Sequence, residues 1–326
     1  MKKFVMLDAH TLPEADYHQE REILAEAGYE CVTAQCKTMD EVVDCCSDAD
    51  VIGDVYFKID DVLLSKLPKL QAVIRYGIGY DVVDIEAAGR RGVAVCNLPT
   101  YCVEDVASHA LGLILDLRRK LTLYDRRLHE GQWDPGYGYE MHRFSSTVLG
   151  LMGFGRTARI LAGFAKGLGM KVLASDPYLP AEVFREHGVE PVSYEEIYSQ
   201  ADIISLHVPA TEETKHLICR ETIGKMKDGV MIVNTSRGSI INLQDLMDAL
   251  DSGKVAAVGL DVMEGEPISD KNARLFQFEQ AVVTPHVAYS SAEASDEQHT
   301  QAAQTAVRLL RGERPENIVN KKQLGL

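Results

Sequence analysis

Short apolar runs rich in β-branched residues alternate with stretches of helical periodicity along most of the chain. In the first hundred residues the runs fall at 4–7, 51–52, 72–74 and 93–96, with helical patterns at 13–27, 39–46, 61–65 and 85–90. A strand apolar throughout has both faces buried, which points to a parallel sheet covered by helices on either side. Parallel neighbours also need long crossover connections, and the intervening helices supply them. The pattern restarts at residue 147, with runs at 147–152, 171–175, 202–206, 230–233, 256–259 and 281–283. A last helical pattern, 291–310, ends at Gly312. The predicted fold class is α/β, built as two successive parallel-sheet blocks. Residues 104–128 carry one long helical pattern expected to bridge them. The Gly- and Pro-rich segment 131–139 then reads as a loop. It holds the single Trp, Trp133, expected at an interface or lid or packed against the neighbouring block.

A chain of 326 residues, 46% apolar and 25% charged, can bury two domain cores. Its net charge of −15 makes it a poor partner for a phosphate backbone, so direct nucleic-acid binding is not expected. No apolar run approaches the roughly 18 residues of a membrane span. The start, Met1-Lys2-Lys3-Phe4-Val5-Met6-Leu7-Asp8, reads as a first buried strand rather than a signal peptide. The seven cysteines are odd in number and form no CxxC pair, which suits buried thiols in a reducing, cytoplasmic setting. The ten histidines include no HExxH and no close His/Cys cluster, so no metal site is expected.

The sharpest local motif is Gly153-Phe154-Gly155-Arg156-Thr157-Ala158, directly after an apolar run and opening a helical one. Its first two glycines permit a tight turn and close approach of backbone to a pyrophosphate. The following helix N-terminus offers free N–H groups, and Ala158 is small enough for close helix–strand contact. The next strand ends at Asp176, 21 residues beyond Gly155. An acid there accepts ribose hydroxyls and repels a 2′-phosphate, so the expected cofactor is NAD. A further wall is His207-Val208-Pro209, at the end of the 202–206 run, where His207 would line the adenosine or pyrophosphate side or serve a purely structural role.

Arg237, Glu266 and His286 each follow a predicted strand of the second block. Together they suit one task. Reducing a 2-oxo acid needs a cation for its carboxylate and carbonyl oxygen, and an acid that gives a proton. An anion beside an imidazole favours its protonated form and fixes its orientation. Glu264 competes with Glu266 for that partner role.

These motifs resemble the D-isomer-specific 2-hydroxyacid dehydrogenase family over essentially the whole chain. The resemblance rests on Gly77-Ile78-Gly79-Tyr80-Asp81, the glycine turn, Asn234-Thr235-Ser236-Arg237-Gly238, Leu260-Asp261-Val262 with Glu266-Pro267, and Thr284-Pro285-His286. It implies two Rossmann-like domains with parallel sheets. A flavodoxin-like substrate domain would comprise residues 1–101 and 295–326, and an NAD-binding domain residues 102–294. It also implies that Arg237 clamps the substrate carboxylate and polarises the carbonyl. His286 would be the general acid in reduction and the base in oxidation, paired with Glu266 as the acid just before Pro267. Thr235, Ser236 and Asp261 would contact the cofactor, Asp261 at the nicotinamide carboxamide. The N–H groups of Ile78 and Gly79 would grip the substrate carboxylate, with Arg75 supporting their loop. The domains would close over the reactants, and the protein would form a homodimer through the cofactor domain.

Near the position where phosphoglycerate-using relatives carry an Arg, this chain has Asp54, expected to repel a phosphate, followed by Tyr56 and Phe57, which would meet an apolar tail. The expected substrate is therefore a small unphosphorylated 2-oxo or 2-hydroxy acid, with D-3-phosphoglycerate as an alternative. No regulatory domain is expected after the catalytic block. Tyr289, three residues after His286, would wall the substrate pocket. That residue and Asp176-Pro177-Tyr178 also resemble the branch containing the C-terminal-binding-protein corepressors, which makes an NAD(H)-sensing protein-interaction module a further alternative.

Overall fold

The computed structural model describes residues 1–9 and 17–326. The chain divides into two compact units, Met1–Cys102 with Ser290–Leu326, and Val103–Tyr289. The second crossing thus falls at Ser290, earlier than the expected return at 295.

The first unit holds five parallel strands: β1 (Lys3–Met6), β2 (Glu30–Thr33), β3 (Val51–Asp54), β4 (Ala72–Arg75) and β5 (Ala94–Cys96). Their order is β2-β1-β3-β4-β5, the flavodoxin-like arrangement. Val5, Ile52, Val73 and Val95 lie side by side across four strands, and none is exposed. The connecting helices are α1 (His18–Glu26), α2 (Met39–Cys46), α3 (Asp61–Ser65) and α4 (Ile85–Arg90). Three begin at side-chain caps: Thr38 with Glu41 in a capping box, Asp60, and Asp84. The expected helical start at 13–16 lies outside the described residues. The edge strand β2 was not expected; Glu-Cys-Val-Thr is half-buried throughout and shows no apolar run. The final helix of the chain, α12 (Ala292–Leu310), returns to pack on α1. The tail beyond it seals β5. Val319 donates its N–H to the Val95 carbonyl, and the Asn320 side chain bonds the Val95 N–H and the Val93 carbonyl, each at 2.8–2.9 Å.

The second unit holds seven parallel strands: β6 (Val148–Met152), β7 (Lys171–Ser175), β8 (Glu190–Pro191), β9 (Ile203–Leu206), β10 (Val230–Asn234), β11 (Val255–Leu260) and β12 (Ala281–Val283). Their order is β12-β11-β10-β9-β6-β7-β8, so the winding reverses between β6 and β9. Helices α5 (Val103–Arg119), α6 (Leu121–His129), α7 (Arg156–Gly167), α8 (Ala181–Glu186), α9 (Tyr194–Gln200), α10 (Arg220–Lys225) and α11 (Leu243–Asp251) accompany the sheet.

The expected single helix over 104–128 is two helices. Lys120 takes a left-handed conformation (φ 57°), and Asp116 caps the new start by accepting from the Thr122 N–H at 2.7 Å. Apolar spacing continues across the break, so periodicity alone does not reveal it. The α5 helix packs on α7, β10 and β11 within its own unit. Trp133, expected at an interface, lid or packed face, is 86% exposed in this unit.

Ile204 sits mid-sheet with Gly150 and Ile232 on its two sides and is fully buried. Replacing it with Ala should cost about 3 kcal/mol and lower the thermal midpoint by roughly 10 °C, as read by calorimetry.

Candidate active site

In an open parallel sheet a ligand crevice forms where the winding reverses, beyond the carboxyl ends of the strands. Here that point is the pair β6 and β9. Gly153 leaves β6 with φ 89°, and a Cβ there would lie 2.7 Å from the His207 carbonyl group and 3.0 Å from the Val208 nitrogen. Only glycine lets the two strand ends pass so closely. Gly155 caps α7 without a side-chain hydrogen bond, and a Cβ on it would meet nothing within 4 Å. The first turn of α7, with exposed Arg156 and half-buried Thr157, contains no acid. No side chain caps its first N–H groups, which leaves them for a ligand.

Asp176 is oriented by two backbone donors, the Phe154 N–H at 3.0 Å and the Tyr178 N–H at 3.1 Å. Phe154 lies within the same turn. Its side chain is fully buried and stacks on Phe184 at 4.8 Å, and its N–H is taken by Asp176. Phe154 thus builds the site from beneath. His207 bonds Ser205 Oγ through Nε2 at 2.9 Å, and burial pulls its pKa down to about 4, so it is neutral at physiological pH. Val208 is buried and Pro209 exposed. Ser236 donates to the Leu206 carbonyl at 2.7 Å. Thr235 Oγ1 is buried without a hydrogen-bond partner, an orphan that a ligand group would satisfy. The glycine turn, the uncapped helix, the oriented acid and this orphan hydroxyl fit a dinucleotide.

Arg237, Glu266 and His286 follow three adjacent strands, β10, β11 and β12. The turn bearing Arg237 presses on the Glu266 loop: a Cβ on Gly238 would lie 2.1 Å from the Met263 carbonyl carbon. Asn234 holds that turn by bonding the Arg237 carbonyl and the Ser236 N–H, each at 2.9 Å. Glu266 Oε2 meets His286 Nδ1 at 3.0 Å, and Oε1 accepts from the Met263 N–H at 2.7 Å. Partial burial pushes the Glu266 carboxyl up. The hydrogen bonds from His286 and Met263, with the charges of His286 and Arg237, outweigh it and hold the group below its usual range. Glu264 is instead bonded to His216 at 2.8 Å. The geometry therefore pairs His286 with Glu266.

His286 has φ 56°, unusual for a side chain with a Cβ. Asp261, 2% exposed, over-determines that turn. Its carbonyl accepts from the His286 N–H, its Oδ1 from Val287 N–H and Thr284 Oγ1, and its Oδ2 from Ala288 N–H. His109 Nε2 meets Thr284 Oγ1 at 2.9 Å below it. The Asp261 carboxylate thus shapes the His286 turn. His109 carries no motif signal that marks this support, because it is brought to Thr284 only by the fold. Tyr289 is half-buried just beyond the turn.

In the first unit, Tyr56 and the Ile78–Gly79 pair lie just past the ends of neighbouring strands β3 and β4. Tyr56 is 50% and Ile78 37% exposed. Three consecutive N–H groups, from Val55, Tyr56 and Phe57, converge on the Asp8 carboxylate. Asp54 is fully buried, and burial together with the Asp8 charge raises its pKa well above the usual range. Asp54 thus faces the interior rather than a ligand surface, which does not fit the expectation that it repels a phosphate. Arg75 lies against the Gly77 backbone, filling the space a Cβ would need.

The chain matches the sequence profile described as "D-isomer specific 2-hydroxyacid dehydrogenase, NAD binding domain" over residues 111–288. The chain belongs to this family. It is 35% identical over 327 aligned residues to a hydroxypyruvate reductase of Blautia hydrogenotrophica, covering 98% of this chain and all of the relative. It is 39% identical over 262 residues to a D-3-phosphoglycerate dehydrogenase of Mycobacterium leprae, covering 80% of this chain but 49% of that protein. A D-lactate dehydrogenase from Aquifex aeolicus, solved with NAD and lactic acid, superposes with a TM-score of 0.85 at 26% identity, covering 99% of this chain and 98% of that one. The protein is accordingly an NAD-dependent oxidoreductase acting on the CH–OH group of 2-hydroxy acids. Among the described residues no helix is long and apolar enough to cross a membrane, and no group of His, Cys, Asp or Glu is arranged to hold a metal ion.

Asp176→Ala should weaken NADH binding and shrink the preference for NADH over NADPH about tenfold or more, because the anion that excludes a 2′-phosphate is gone. Titration of NADH and NADPH fluorescence checks this.

Proposed function

We propose that the protein catalyses reversible reduction of a small unphosphorylated 2-oxo acid to the D-2-hydroxy acid. The observation that carries this reading is the His286–Glu266 pair at 3.0 Å, held beside the Arg237 turn beyond the carboxyl ends of β10, β11 and β12. Bound NADH supplies the hydride for reduction, and NAD takes it back in oxidation. With Nδ1 donated to Glu266, His286 keeps Nε2 for the substrate oxygen. It gives that proton as the carbonyl becomes a hydroxyl and recovers it in the reverse direction. The Glu266 carboxylate stabilises the imidazolium and fixes the ring. Arg237 binds the substrate carboxylate and polarises the carbonyl. Among the described residues the N–H groups of Ile78 and Gly79 donate no hydrogen bond, which supports their use as carboxylate donors. Gly153, Gly155, Arg156 and Thr157 cradle the pyrophosphate, Asp176 takes the adenosine ribose, and His207, Val208, Pro209, Thr235 and Ser236 line the remaining wall.

Exposed Tyr56 and half-buried Tyr289 supply the surfaces for the substrate's tail. A hydroxypyruvate reductase matched along its full length favours an unphosphorylated acid, whereas the phosphoglycerate dehydrogenase match spans half of that relative. Seven free thiols suit a cytoplasmic protein. Exposed Leu121, Leu128 and Trp133 on α6 and the following loop support a homodimer formed through the second unit. Light scattering should then give twice 36.0 kDa; the monomer mass would refute it.

NADH oxidation should be fast with pyruvate, hydroxypyruvate, branched-chain or phenyl oxo acids and slow with phosphohydroxypyruvate, yielding the D product. Binding of NADH without turnover on any of them would overturn the enzymatic reading in favour of a dinucleotide sensor. His286→Ala should lower kcat about 10²–10⁴-fold, while Arg237→Ala should chiefly raise KM for the oxo acid. Glu266→Gln should lower kcat, because the ring loses the anion that fixes its orientation and stabilises the imidazolium. In the parent enzyme, Glu266 stays ionised until the pH falls below the usual carboxylate range, so its contribution is present at neutral pH and lost only in more acid solution.

A further inference from the structure

The segment from Tyr76 to Gly79 is held in an unusual way. Three successive carbonyls are each taken by a donor of the same unit. Tyr76 accepts from Gln298 Nε2 at 3.2 Å, Gly77 from the Leu98 N–H at 2.9 Å, and Ile78 from Asn97 Nδ2 at 2.7 Å. In a trans peptide the C=O and the following N–H point in opposite directions. Pinning the Gly77 carbonyl therefore sends the Ile78 N–H outward, and pinning the Ile78 carbonyl sends the Gly79 N–H outward. The first of these anchors is backbone. The second is one side chain.

That side chain is itself fixed. Asn97 is 8% exposed. Its N–H donates to the Asn317 carbonyl at 3.3 Å, and its carbonyl accepts from Asn317 Nδ2 at 2.6 Å. Asn317 thus clamps the Asn97 backbone from the returning tail. We propose that Asn97, held by Asn317, is a positioning residue that aims the Gly79 N–H at the substrate carboxylate. This rests on the reading that the Ile78–Gly79 N–H groups bind that carboxylate. Asn97 touches neither substrate nor cofactor; it acts through the orientation of one peptide group.

The chemistry of the asparagine amide makes the proposal testable. Asn97→Asp keeps the shape but offers an acceptor where a donor is needed, so the Ile78–Gly79 peptide loses its anchor. The expected result is a rise of about tenfold or more in KM for the oxo acid, with kcat and the NADH dissociation constant within about twofold of the parent. Asn317→Ala leaves the Asn97 amide but frees its backbone, and gives a smaller rise of the same kind; it serves if Asn97→Asp does not fold. Gly79→Pro removes the N–H itself and breaks no hydrogen bond among the described residues, so it should raise KM at least as much. Raised KM in Gly79→Pro but not in either asparagine variant would overturn the role of Asn97 while leaving the loop reading intact. Unchanged KM in all three would overturn the loop reading and the proposal with it. A parallel loss of NADH affinity, kcat and thermal midpoint in the asparagine variants would assign them a purely structural role and refute the proposal.

Discussion

Every strand in each of the two sheets runs in the same direction, and the rest of the molecule's chemistry depends on that constraint. In such a sheet all the segments that follow strands leave from one edge, where the last peptide groups have no further strand to pair with. Those groups must be satisfied by side chains, by tight turns or by ligands. In the first unit Asp8 gathers three of them, and Asn97 and Gln298 secure two more. In the second unit Asn234 and Asp261 do the same work. Short polar side chains with fixed partners thereby convert loose strand ends into shaped loops, and the groups left over point to solvent.

Asp261 shows how far this goes. A left-handed histidine costs about 1–3 kcal/mol, and the turn persists because one buried carboxylate collects its neighbours' N–H groups. The carboxylate that determines where His286 sits is therefore different from the one that bonds its ring. Glu266 lies partly open and holds Nδ1, while Asp261 lies beneath and holds the backbone. Splitting the two tasks fixes the backbone and the ring of His286 independently.

Much of this was readable in the residues before any coordinates. Continuous apolar runs located most of the strands, and several helices, such as Met39–Cys46, were bounded by caps visible in sequence. The glycine turn, Asp176, Arg237, Glu266 and His286 could be singled out as candidates because each stands in a local motif along the chain. What escaped had a physical reason. Strands β2 and β8 sit at sheet edges and carry Glu-Cys-Val-Thr and Glu-Pro, with no apolar run to betray them. The Lys120 break hides inside uninterrupted apolar spacing. Asp54 has the expected residue type but faces inward, and direction is set by tertiary packing. His109 and Asn317 lie far in sequence from the groups they support.

The division of the chain also has a temporal side. The second unit is one unbroken stretch, Val103–Tyr289, whereas the first needs Ser290–Leu326 to supply α12 and to close the open edge of β5. During synthesis from the N-terminus, the unit that begins first is completed last. Its helices and strands wait, with the α12-facing surface and the β5 edge uncovered, while the dinucleotide-binding half emerges and acquires every residue it needs.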